Sequence, residues 1–271
     1  MKISYITMGF PVPTETFASL DIKSIFDSGN KVKVYCLRMS HKKHDIMIKA
    51  RNLFGIDIFY INYLKILMSP ILLLLYPFKT IDLLIWLIKS ERNNITQLLK
   101  CILLIPSSIY IFREIKKDAP DIVHLFWGHY PSIPAYLIKK YLPNIPLTIF
   151  LGAYDLELNL SISKEIANRS NDVFTHSASN ISLLKSMGIK ESKINLIYRS
   201  VDYDLITKTI KGINKIDKKI ISSGKLIKEK NFKAVIKIFS KILQHDNNYS
   251  LEIVGSGPEN SNLISLAKKL N

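Results

Sequence analysis

Residues 221–239 read ISSGKLIKEKNFKAVIKIF, and the fold turns on how that stretch is read. It begins inside a β-rich run, KIISSG at 219–224, that ends on Gly224. Residues 231–243 then repeat apolar side chains at helical spacing. A second β-rich run, YSLEIVG at 249–255, runs into Gly255–Ser256–Gly257–Pro258, and a further helix opens at 259–270. Strand, helix, strand, helix predicts parallel pairing, because an antiparallel pair needs only a short hairpin. Ligands on parallel sheets bind beyond the carboxyl ends of the strands. Gly224, Lys225 and Lys230 fall at such an end, where backbone and ammonium groups can meet a phosphate at a helix start. Gly255, Gly257 and Pro258 form the neighbouring turn. The same residues also fit a tight turn with two lysines facing solvent.

Upstream the alternation continues. KISYITM at 2–8 is a strand ending at Gly9, a helix runs from about Glu15 to Asp27 with Thr14 as its N-cap, and KVKVYCL at 31–37 is the next strand. Residues 40–118 read as mostly helical. Further strands are expected at 121–126, 147–151, 172–177 and 193–200, helices at 132–141, 161–169 and 179–187, and a loop at GAYD, 152–155. The lysine-rich stretch 208–218 keeps no period and reads as a linker. The fold class is therefore α/β: two Rossmann-like domains with mostly parallel sheets, residues 1–207 and 219–271. Two strands and two helices are too few to cover both faces of a parallel sheet, so the second domain is read as incomplete. Either the chain is a fragment or a complementing chain finishes that domain.

The 271 residues carry a net charge of +16, from 38 basic and 22 acidic side chains. Such an excess favours a polyanion (a phosphorylated substrate or an anionic lipid surface) or is simply a solvated basic surface. The lysines spread along the whole chain with no nucleic-acid-binding module around them, so nucleic acid is not the expected partner. Cys36 and Cys101 form no metal or disulfide framework, which fits a reducing compartment. MKISYITMG lacks the features of a signal peptide. The apolar run Ile66–Phe78 contains Ser69, Pro70 and Pro77 and falls short of the ~20 residues of a spanning helix. With Lys65, Lys79, Lys89 and Lys100 around it, this region and 98–112 read as buried or interfacial helices beside an anionic membrane.

Other residues could carry chemistry. Gly9 with Glu15 and Thr16 follows the first strand at a helix start, which suggests anion approach, sugar-hydroxyl binding by Glu15, or plain capping. His124 lies inside a strand and reads as core. His129, with Trp127 and Tyr130 at the strand end, could stack on a sugar and bond its hydroxyls. Asp155 follows the strand at 147–151 near the same edge. No carboxylate pair is set for glycoside hydrolysis, and neither the nucleotide P-loop nor the dinucleotide fingerprint is present. No metal cluster is legible.

The combination Gly224–Lys225–Leu226, Glu229–Lys230–Asn231–Phe232 and Ile253–Val254–Gly255–Ser256–Gly257–Pro258–Glu259 resembles the retaining glycosyltransferases of family 4. So does Phe10–Pro11–Val12–Pro13–Thr14–Glu15–Thr16–Phe17, which is similar to the branch that builds exopolysaccharide, capsule and O-antigen repeats. FTHSASNISLLKSMGI at 174–189 and Val201–Asp202 look similar too. The resemblance implies the GT-B fold, two Rossmann-like domains facing across a cleft. It implies a UDP- or GDP-sugar donor as co-substrate, no required cofactor or protein-bound metal, and a saccharide or lipid-linked saccharide acceptor. It implies that Lys225 and Lys230 hold the donor diphosphate, with Lys225 replacing the usual arginine and Asn231 a glycine. It implies a cytoplasmic enzyme peripheral to the inner face of the cell membrane. Two departures stand out. Where the family places a histidine three residues before Asp155, this chain has Gly152, which makes His129 the candidate substitute. The family's later acidic motif is not within these 271 residues, which leaves an inactive truncation, a split enzyme or a nucleotide-binding module as alternatives.

Overall fold

The computed structural model describes residues 1–199, 201, 203–210 and 216–270. It divides into two compact units, Met1–Asp202 and Tyr203–Asn271. Both are α/β, and every strand pair described is parallel.

In the larger unit the strands are β1 Lys2–Thr7, β2 Lys31–Cys36, β3 Asp57–Phe59, β4 Ile122–Phe126, β5 Leu147–Phe150, β6 Asp172–Thr175 and β7 Ile194–Leu196. Their order is β3-β2-β1-β4-β5-β6-β7. The chain winds outward from β1 to β3, crosses back to lie beside β1, and winds outward again. The reversal between β1 and β4 opens a crevice at their carboxyl ends. The helices are α1 Thr16–Asp27, α2 His44–Ala50, α3 Tyr63–Leu67, α4 Ser69–Leu75, α5 Pro77–Glu91, α6 Ile95–Ile102, α7 Ile105–Asp118, α8 Ser132–Tyr141, α9 Ala153–Leu158, α10 Ser161–Arg169 and α11 Ser179–Ser186. They cover both sheet faces. Tyr5 joins a core with Ile22 of α1 and Val34 of β2, whereas its neighbour Ile6 joins the opposite core with Ile109 of α7 and Leu137 of α8. That is the two-residue period of a strand buried on both sides. Each such side chain contributes about 1.5–3 kcal/mol by leaving water.

Several expectations need correction. The stretch 40–118 holds a strand, β3, whose three residues are too few to show a period. GAYD is not a loop: α9 starts at Ala153, with Asp155 in its first turn accepting from the backbone N–H of Gly152 at 3.1 Å. Thr14 does not cap α1; Glu15 holds that position without a side-chain cap bond. The β1–α1 loop is held instead by Arg51, which donates to the carbonyls of Val12 at 3.0 Å and Pro13 at 3.2 Å. The apolar run 66–78 breaks at Pro77, where α4 and α5 meet at 99°. Among the described residues no single helix is long and apolar enough to cross a membrane. The last strand is shorter than read, ending at Leu196.

A helix, α12 Tyr203–Ile210, extends into the stretch read as a linker. Residues 211–215 of that stretch, and Asp202, lie outside the described residues. The smaller unit then contains β8 Lys219–Ser223, α13 Phe232–His245, β9 Ser250–Val254 and α14 Asn260–Leu270. Its core is thin: Leu226, Phe232, Ile236 and Leu263. Ile221 and Val254 remain more than half exposed.

Candidate functional site

Two groups of residues gather at strand carboxyl ends, one in each unit. In the larger unit the crevice beside β1 and β4 receives the turn after β4. Trp127 there adopts φ +86°, a conformation that L residues rarely hold, and its buried indole N–H is near enough to the Glu15 carboxyl to lower that group's pKa. The turn is fastened from beneath by Asp155, only 1% exposed. One carboxylate oxygen accepts from the backbone N–H groups of Gly128 at 2.9 Å and His129 at 3.1 Å, and from His129 Nδ1 at 3.0 Å. The other accepts from Gly152. Asp155 is thus saturated and acts on its surroundings by positioning. Because Nδ1 of His129 donates to the carboxylate, Nε2 is left to face a ligand. Tyr130 and Tyr154 stand edge-on to that imidazole, at 5.4 and 6.0 Å.

Gly152 shows why no histidine stands at that position. A Cβ built there would lie 2.4 Å from Cζ3 of Trp127. The indole fills the space a side chain at 152 would need, and the imidazole of His129 stands in the adjacent turn.

Glu15 borders the same crevice. Burial pushes its carboxyl above the ordinary carboxylate range, against the opposing pull of the Trp127 indole, His129 and Arg199. Arg199, after β7, lays its guanidinium 3.7 Å above the Phe17 ring and 5.3 Å from that of Trp127. Asp21, also raised by burial, and Glu15 act on it as opposing charges. His176, after β6, stacks on Phe150, and burial together with Arg199 lowers its pKa. The structure therefore brings Glu15, His129 and Asp155 together and adds Trp127, His176 and Arg199. The last two lie in stretches legible only as strand ends. Gly9 and Thr16 do less: Gly9 has room for a side chain, and Thr16 is exposed at the first turn of α1. His124 is half-buried within β4, as its place in a strand suggests. Its Nδ1 lies 2.8 Å from the Thr148 hydroxyl, and burial lowers its pKa to about 4.

In the smaller unit the turns after β8 and β9 run against each other. Gly224 N–H donates to Val254 at 3.0 Å, and Leu226 N–H to Ser256 at 2.9 Å. A Cβ on Gly255 would sit 1.9 Å from the Gly224 carbonyl oxygen, and one on Gly257 2.3 Å from that of Leu226. These glycines are required by backbone meeting backbone, a packing reason that stands whether or not a ligand binds. After Lys225 the chain makes a 3-10 turn, Lys228–Lys230, and Asn231 takes the left-handed conformation, φ +49°, that a glycine would adopt freely. Helix α13 begins at the next residue. Lys233 bonds Glu259 at 3.1 Å, tying the starts of α13 and α14 together and holding the Glu259 carboxyl below its usual range. Lys225 and Lys230 are exposed, and neither ammonium pairs with a described residue. Two helix N-termini and two free cations thus share one end of this sheet. Among the described residues no three His, Cys, Asp or Glu side chains converge as a metal site. Cys36 and Cys101 are buried and free.

The Glycosyl transferases group 1 family model matches residues 206–271. No curated protein matches the chain in sequence. Among solved structures, Anabaena Alr3699/HepE in complex with UDP is similar at a TM-score of 0.61 and 12% identity, covering 100% of this chain and 66% of that one. The apo form of the lipopolysaccharide outer core galactosyltransferase WaaB is similar at 0.57 and 18% identity, covering 100% and 65%. UDP-GlcNAc 2-epimerase from Neisseria meningitidis, bound to UDP-GlcNAc, is similar at 0.54 and 13% identity, covering 100% and 69%. The chain spans just under two thirds of the length of the first two. The likeness is one of fold: two Rossmann-like α/β domains of the GT-B type, the second much smaller here.

Proposed function

We propose that this chain belongs to a glycosyltransferase that moves a sugar, with retention of configuration, from a UDP- or GDP-sugar to a lipid-linked saccharide during cell-surface polysaccharide synthesis. The observation that carries the reading is the pair of exposed lysines, Lys225 and Lys230, beside the starts of α13 and α14, within the stretch matched by the glycosyl transferase model. When the bond from sugar to diphosphate breaks, negative charge gathers on the departing phosphate. Fixed cations and helix N–H groups stabilise that charge without needing a protein base. The donor is a co-substrate, and the reading requires no other cofactor or metal. UDP or a UDP-sugar occupies two of the solved structures of this fold named above, which supports uridine as the base. The crevice of the larger unit suits an acceptor saccharide: Nε2 of His129 and the carboxyl of Glu15 can bond hydroxyls, and Tyr154 offers an aromatic face.

Titration calorimetry with UDP and with GDP tests the reading. Saturable binding is expected, weakened about tenfold by Lys225→Ala and by Lys230→Ala, as for loss of one charge-assisted contact. Incubation with UDP- and GDP-sugars and a polyprenyl-linked saccharide should then yield a product whose anomeric configuration, read by NMR, matches the donor's. A folded chain that binds neither nucleotide refutes the reading. Binding with no transfer to any acceptor would assign the chain as a nucleotide-binding module or as one part of an enzyme completed by another chain.

A further inference from the structure

We propose that helices α3–α6 form a membrane-docking surface that lies in the headgroup layer of an anionic bilayer without crossing it. The proposal is independent of the transfer reaction, because it rests on a different face of the larger unit. On α5, Leu83, Trp86 and Leu87 point into the core, as an amphipathic helix requires. The outward stripe should then be polar. It is instead Phe78, Ile81, Ile85 and Ile88, from 46 to 84% exposed. The pattern repeats on α6, where Ile95 and Leu99, with Leu103 just beyond its end, follow one another at four-residue spacing and are 57–78% exposed. Leu74 and Leu75 of α4 are 78 and 69% exposed. Each such side chain leaves on the order of 100 Å² in water, so together they exceed the few hundred Å² that a monomer ordinarily exposes in one patch.

Charge identifies the occupant. The two acids in 63–104 are both engaged: Asp82 binds Lys140 at 2.5 Å and Tyr141 at 3.0 Å, and Glu91 is buried, accepting from the N–H of Ile162 at 3.0 Å. Within 63–104 the exposed charges are Lys89, Arg92 and Lys100, all basic. Apolar side chains with a basic rim suit acyl chains beneath anionic headgroups. A symmetric second copy would bring like charges together. The 99° bend between α4 and α5 breaks this apolar stretch into short helices.

Co-sedimentation of the purified protein with vesicles tests this. Vesicles of phosphatidylcholine with phosphatidylglycerol should pellet it, and phosphatidylcholine alone should do so far less. Raising the salt should release it. The triple variant Lys89→Glu/Arg92→Glu/Lys100→Glu should lower partitioning at least a hundredfold, since each basic residue near the surface is worth about a fivefold factor. Leu74→Ser/Phe78→Ser/Leu103→Ser should lower it at least tenfold with an unchanged circular dichroism spectrum, because all three side chains are already exposed. Equal pelleting with both vesicle types, no pelleting, or variants that pellet like the parent would overturn the proposal. So would a dimer in solution that the serine variant renders monomeric, since that outcome assigns the patch to a second copy.

Discussion

Introducing a single methyl group tests the geometry of the crevice most sharply. Gly152 has φ −106°, which any residue tolerates, so Gly152→Ala carries no backbone penalty. In an open site it would stabilise by about 0.4–1 kcal/mol through the unfolded chain. Here the new Cβ would lie 2.4 Å from Cζ3 of Trp127 and 3.2 Å from Cη2. Carbon atoms rest at about 3.5–4.0 Å, so the indole must retreat by roughly 1 Å. It has little room to do so. The rings of Phe17, Phe126 and Phe150 meet it edge-on at 5.8, 5.6 and 5.7 Å, and its backbone is fixed at φ +86°. Overpacking of this kind costs about 1–3 kcal/mol. Trp127→Ala alone costs on the order of 3 kcal/mol for the aromatic ring lost. With the ring gone, the next atom near the new methyl is His176 Cε1 at 3.5 Å, an ordinary contact. Gly152→Ala should therefore turn from destabilising to neutral or stabilising in the Trp127→Ala background. Urea unfolding followed by far-UV circular dichroism, which survives loss of the tryptophan, should give a coupling of about 1–3 kcal/mol. Equal costs in both backgrounds, within about 0.5 kcal/mol, would show that the indole does not fill the space at 152.

Three further outcomes are expected. Asp155→Ala strands four donors beneath the turn after β4 and should cost about 3–5 kcal/mol, lowering Tm by ~10 °C, whereas Asp155→Asn keeps an acceptor and should cost less; calorimetry showing an unchanged Tm for the alanine variant would remove Asp155 as the anchor. His124 is held neutral, its pKa falling from 6.5 unfolded to about 4 folded, so the unfolded chain takes up a proton first. Its contribution is complete above the unfolded value and is lost as pH falls from about 6.5 to about 4, by up to ~3 kcal/mol; denaturation at several pH values should show this slope flattened in His124→Gln. Arg199 draws the Glu15 carboxyl down against burial, so Arg199→Gln should raise the Glu15 titration midpoint in an NMR titration, and an unmoved midpoint would place the guanidinium elsewhere.

The α/β class was legible because strand and helix periods are local. The β-rich runs stand as strands at 2–7, 31–36, 122–126, 219–223 and 250–254, each within a residue or two of the sequence reading. The turn after β8 was legible for the same reason, since Gly224, Lys225 and Lys230 sit within one short segment. Other features needed the third dimension. β3 has only three residues and acquires its identity by pairing with β2. The start of α9 depends on Asp155, whose partners lie on the far side of the β4 turn. From sequence, Gly255 and Gly257 suggest a backbone that approaches a ligand, yet the atoms that exclude their Cβ belong to Gly224 and Leu226, thirty-one residues upstream in each case. His129 and Asp155 are separated by 26 positions and meet through two parallel strands. Arg199 reaches the crevice only because β7 runs parallel to β1 and β4 and finishes at the same end of the sheet. Sequence by itself determined which segments form elements and which residue types stand at their ends, because those depend on neighbours along the chain. Tertiary structure decided which ends share a crevice and which apolar stripes stay uncovered, because those depend on strand order, and strand order is set by packing between segments far apart in sequence.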